Sequence, residues 1–83
     1  MRVVVYGKEG CHLCENVIDV LDRINVEKRL DVSSQDISSN PELFERYKNI
    51  YPVVEIDGKV RLAGSALSDP NTLERVLRMA LSM

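Results

Sequence analysis

The dipeptide Asp57-Gly58 constrains this chain more than any other pair of residues. It lies between two short runs of strand character, Val53 to Ile56 and Lys59 to Ala63. A two-residue hairpin turn needs positive φ at its central positions, and Asp-Gly supplies that cheaply. An antiparallel hairpin is therefore expected late in the chain. Gly64-Ser65 then turns the chain, and Asp69-Pro70 opens a final helix through N-cap and proline chemistry. Leu73, Val76, Leu77, Ala80 and Leu81 supply the apolar face of that helix.

The first half alternates element types. Val3, Val4, Val5 and Tyr6 form a run that is apolar on both faces and ends at Gly7, which predicts a central, buried strand. Helical periodicity follows from about His12 to Ile24, with Leu13, Val17, Val20, Leu21 and Ile24 on one face and Asn25 as the stop. Glu27 to Val32 reads as a second strand around Leu30 and Val32, and Ser33 to Ser39 as a loop. Asn40-Pro41-Glu42 starts a second helix that runs to about Lys48 and packs through Leu43, Phe44 and Tyr47. The order is β-α-β-α-β-β-α. Its opening βαβ unit implies parallel strands joined by a right-handed crossover. The expectation is one α/β domain over residues 1–83, a four-stranded mixed sheet flanked by three helices.

Several functions lose support on composition. The net charge is −2 and the lysines and arginines are scattered, so nothing suggests a nucleic-acid partner. The N-terminal apolar run is far too short for a signal peptide or a membrane helix. A cytoplasmic location with no membrane partner is expected. Structural disulfides are rare in that compartment. The chain has two cysteines, Cys11 and Cys14, which raises redox chemistry or metal binding as the first question.

Two cysteines with this spacing can close a disulfide with little backbone movement. At a helix start, unpaired N–H groups and the helix dipole favour negative charge and raise the thiolate fraction. Cys11 should sit exposed at the helix entrance and Cys14 one turn in, more covered. That asymmetry suits dithiol exchange, in which one sulfur attacks and the other resolves the mixed disulfide. His12, when protonated, would stabilise a Cys11 thiolate; it reads equally well as an exposed histidine without a role. A metal or iron–sulfur module is the alternative. Cys11, His12 and Cys14 give at most three neighbouring ligands where structural zinc takes four, so such a site would be shared between chains.

The combination of Lys8-x-x-Cys11-x-x-Cys14 after a short strand, Tyr51-Pro52 before a later strand, the Asp57-Gly58 hairpin and Gly64 beyond it resembles the glutaredoxins over nearly the whole chain. The resemblance implies the thioredoxin fold in its minimal glutaredoxin form, with Pro52 in cis and facing the cysteine pair. It implies thiol–disulfide exchange with Cys11 and Cys14 as catalytic residues. Substrate binding would fall to Lys8, Tyr51, Pro52 and Gly64: Lys8 to a glutathione carboxylate, and the Tyr51 backbone to the substrate's own backbone, like an added strand. The implied partners are disulfide-containing proteins or small-molecule disulfides, with glutathione or a thioredoxin-reductase-type donor as the thiol reductant. No bound cofactor or metal is expected, and the chain should act as a monomer. The sequence departs from the family at His12-Leu13, where Pro-Tyr is usual. It departs again at Ile50-Tyr51, where Thr-Val is usual, and at Ala63-Gly64-Ser65-Ala66-Leu67, where a Gly-Gly-x-Asp-Asp segment is usual. It resembles thioredoxins proper less, having no tryptophan and no acid between Arg2 and Tyr6.

Overall fold

In the computed structural model, which describes residues 1–82 with the Ser65 side chain excepted, seven main elements follow one another. They are β1 (Arg2–Gly7), α1 (His12–Lys28), β2 (Asp31–Asp36), α2 (Pro41–Tyr47), β3 (Val53–Ile56), β4 (Lys59–Ala63) and α3 (Leu73–Leu81). Short 3₁₀ turns at Ile37–Ser39 and Gly64–Leu67 complete the order. The strands form one mixed sheet in the order β2-β1-β3-β4. β1 runs parallel to β2, with Val3 opposite Val32, and antiparallel to β3, with Val5 opposite Val54.

Successive side chains of a strand point to opposite faces of the sheet, and the core divides accordingly. Val3, Val5, Val54 and Ile56 join Val17, Leu21 and Ile24 of α1 and Leu73, Leu77 and Leu81 of α3 in one cluster. Tyr6 and Val53 pack on the other face with Ile37, Leu43, Phe44 and Tyr47, the last three from α2. The Tyr6 and Tyr47 rings lie 5.1 Å apart, tilted by 36°. Both faces of β1 are thus covered, as its continuous apolar run requires. Each fully buried Leu, Ile or Val contributes about 1.5–3 kcal/mol relative to exposure.

The hairpin forms as its sequence demands: Asp57 and Gly58 have φ of 49° and 88°. Asn40 caps α2, its side-chain oxygen accepting from the amides of Glu42 (3.0 Å) and Leu43 (3.3 Å).

Three boundaries differ from the sequence reading. Asn25 does not stop α1, which continues to Lys28. Asn25 instead collects amides from beyond the last turn: its carbonyl accepts from Arg29 N–H at 3.2 Å and its side chain from Leu30 N–H. Arg29, at φ 40°, is the actual C-cap. The added turn is solvated, Val26 being 87% exposed, so hydrophobic periodicity has no hold on it. Glu27 in this turn pairs with Arg78 of α3 at 2.8 Å. The second strand therefore begins later and takes in Ser33 to Asp36, read as loop. It is an edge strand with mostly exposed side chains, set by its backbone ladder to β1 rather than by apolar alternation. Finally, Asp69-Pro70 starts a turn and not α3. Asp69 accepts from Asn71 N–H (3.0 Å) and Thr72 N–H (3.2 Å), and the helix begins at Leu73.

Candidate active site

β1 delivers the chain to the cysteine pair at Gly7, which is buried. A Cβ built on Gly7 would lie 2.5 Å from Cys14 Sγ and 3.0 Å from Cys14 Cβ. Only glycine lets the strand pass that close beneath the helix start. The loop then tightens: Cys11 N–H donates to the Lys8 carbonyl at 3.1 Å, with Gly10 at φ 82°.

Cys11 is the N-cap of α1, a position usually held by Ser, Thr, Asp or Asn. Its Sγ accepts from Cys14 N–H at 3.2 Å. A backbone donor therefore already points at this sulfur, where negative charge builds during exchange. Cys11 is half-buried, whereas Cys14 is buried at 8% exposure. Burial pushes the Cys14 thiol up to about 12, and its hydrogen bond with Cys11 acts in the same direction. The two thiols are thus unequal: Cys11 is reachable, and Cys14 is held protonated beneath it.

A cleft of about 380 Å³ opens beside the pair, between the start of α1 and the end of β2. Cys11, Cys14 and Lys8 line it together with Asp19 of α1 and Ser34, Gln35 and Asp36 of β2. The Asp36 carboxyl is held below the usual carboxylate range by the Ser38 hydroxyl and amide, then by the Glu9 amide and the Lys8 charge. Ser38 Oγ donates to Asp36 Oδ1 at 2.6 Å. The end of β2 is in this way tied to the loop before Cys11.

Tyr51, Pro52 and Gly64 are held together by backbone contacts of their own. The Tyr51–Pro52 bond is cis, as the resemblance implied. Tyr6 pairs with Val53, which places Pro52 at the same end of the sheet as Gly7. The Pro52 carbonyl accepts from Gly64 N–H at 2.9 Å. Gly64 has φ 53°, and a Cβ there would meet the Ile50 carbonyl oxygen at 3.1 Å. These residues form one tight backbone platform, and none of the three lines the cleft. Tyr51 N–H already donates to the Tyr47 carbonyl at 3.0 Å, so only its carbonyl side is open to an added strand. His12 points away, its side chain 95% exposed and its Nδ1 3.7 Å from Glu15.

Sequence reasoning missed Gly7, Asp19 and Asp36. A glycine at the end of the first strand, four residues before the first cysteine, was the available signal for Gly7. For Asp36 the signal was Asp-x-Ser, a spacing that favours a side-chain-to-backbone turn. Among the described residues no three His, Cys, Asp or Glu side chains are grouped so as to hold a metal ion. No described helix is long and apolar enough to cross a membrane.

The sequence profile of the glutaredoxin-like domain (DUF836) matches residues 2–80. No curated protein matches the chain. Among solved structures, a Nitrosomonas europaea protein determined by solution NMR is 30% identical with a TM-score of 0.70, over 77% of this chain and 78% of that one. A protein from X. campestris, determined by X-ray methods, is 22% identical with a TM-score of 0.66, over 93% and 96%. Thioredoxin 1 from the thermophilic eubacterium Thermosipho africanus is 20% identical with a TM-score of 0.56, over 98% and 99%. At that identity the likeness to thioredoxin speaks for the fold, and the fold is the thioredoxin fold.

Proposed function

Because the chain belongs to the glutaredoxin-like domain family, we propose that it is a thiol–disulfide oxidoreductase in which Cys11 attacks and Cys14 resolves. The observation that carries this reading is the inequality of the two thiols. Cys11 is accessible at the helix start with an amide donor on its sulfur, and Cys14 is covered and held protonated. Cys11 displaces one sulfur of a substrate disulfide and forms a mixed disulfide. Cys14 then attacks Cys11 Sγ, releases the second substrate thiol and leaves the Cys11–Cys14 disulfide. A thiol reductant, glutathione or a thioredoxin-reductase-type donor, returns the pair to the dithiol. Disulfides of proteins or small molecules are the substrates, and the Tyr51–Pro52–Gly64 platform is where a substrate chain would lie. Turnover with purified Cys11→Ser and Cys14→Ser proteins tests the assignment. Cys11→Ser is expected to lose all activity, and Cys14→Ser to accumulate a mixed disulfide at Cys11. Full activity in Cys11→Ser would refute it.

A further inference from the structure

The cleft is the open space beside the cysteine pair, and its charge is lopsided. Glu9, Glu15, Asp19 and Asp36 line it against one cation, Lys8. The Lys8 charge already acts on Asp36. Glu15 has His12 as a partner at 3.7 Å only when the imidazole is protonated. Asp19 has no hydrogen-bond or ion-pair partner among the described residues. At about 380 Å³ the cleft has room for a long side chain, within the range of ordinary ligand pockets.

Building on the exchange reaction proposed above, we propose that this cleft selects positively charged polypeptide disulfides, taking a lysine or arginine that flanks the substrate cysteine. Like charges facing each other disfavour the wrong partner, and opposite charges raise the local concentration of the right one. The cleft acts on the first step. The Cys11 thiolate forms a bond to one substrate sulfur as the substrate S–S bond breaks. The departing thiolate takes a proton from solvent. Cys14 then gives up its proton, bonds to Cys11 Sγ and releases the second substrate sulfur as a thiol. Two electrons pass from the protein dithiol to the substrate disulfide. An anionic disulfide such as glutathione disulfide meets the same cleft at a disadvantage.

The test uses the reduced full chain in single turnover against two disulfide-linked peptide dimers, Gly-Lys-Cys-Lys-Gly and Gly-Glu-Cys-Glu-Gly. Each rate is divided by the rate of the same dimer with dithiothreitol, whose attacking thiolate carries one negative charge, so the quotient corrects for leaving-group chemistry and for the attraction of any thiolate to the dimer. The expected lysine-to-glutamate ratio is roughly tenfold at low salt and collapses towards unity near 1 M salt, where screening acts over about 3 Å. The Glu15→Gln/Asp19→Asn protein, altered only at exposed helix positions, should lose roughly threefold of that ratio. Equal normalised rates, or a ratio unmoved in the double variant, would overturn the cleft assignment while leaving the exchange reaction standing. Failure of the protein to react with either dimer would overturn the exchange reaction itself.

Discussion

On one side of Cys11 and Cys14 the chain closes on itself; on the other it leaves a cleft. The closed side holds the cis Tyr51–Pro52 bond, the Gly64 amide on the Pro52 carbonyl, and no room for a Cβ on Gly64 without crowding Ile50. The open side is made of α1 and an edge strand whose side chains are solvated and largely charged or polar. One side is fixed by backbone geometry, so small residues are demanded there. The other is fixed by charge and tolerates change in shape. The platform should therefore respond to substitution in stability, and the cleft in selectivity.

The largest expected effects come from residues that belong to the sulfur chemistry or to close backbone packing. Gly64→Val should be the most damaging change on the closed side. It puts a β-branched residue at φ 53° and a Cβ at 3.1 Å from the Ile50 oxygen. A loss of about 1–3 kcal/mol is expected from urea unfolding. A change within about 0.5 kcal/mol would break the view that the platform is held by close approach.

Gly7→Ala sharpens the comparison from beneath the cysteines. Its Cβ must displace Cys14 Sγ, so a loss of about 1–3 kcal/mol is expected by denaturant melts. Part of that loss should be recovered in Gly7→Ala/Cys14→Ala, with a coupling of about 0.5–3 kcal/mol. Strict additivity would mean that the two residues do not share the space.

A comparable effect is tied to pH. The Cys14 thiol rises from its ordinary value to about 12 on folding. The reduced folded state therefore holds a proton that the unfolded state gives up, and the associated stability is intact below about pH 9. It is lost as pH rises through the folded value near 12. Reduced wild type should accordingly lose stability more steeply than Cys14→Ser between pH 9 and 11, in paired urea titrations. Parallel curves would show that Cys14 ionises in the fold as it does in the open chain.

The same contrast between closed and open sides decides how much was legible in the sequence. Strands that carry apolar residues on both faces, the Asp57-Gly58 turn and the Asn40-Pro41 cap announce themselves because each rests on a local physical demand. The cis platform came through a motif, Tyr51-Pro52 with Gly64. The cleft came through only at Lys8, Cys11 and Cys14, and its acidic walls did not. Its far wall is β2, whose Ser33, Ser34 and Gln35 are held by a ladder to β1 and carry no apolar alternation. Its near wall takes Glu15 and Asp19 from the polar face of α1, and charges on a helix face ordinarily mean nothing more than solvation. The inequality of Cys11 and Cys14 was legible from their spacing. Its physical origin in Gly7 and in burial against β1 was not.

The most direct test of that inequality is alkylation of the reduced protein with iodoacetamide across pH 6 to 10, with each cysteine followed by mass spectrometry. The account predicts that Cys11 is modified first throughout and that Cys14, held near 12 by burial, stays protected until the fold opens. Equal rates at the two sulfurs, or faster modification of Cys14, would contradict it.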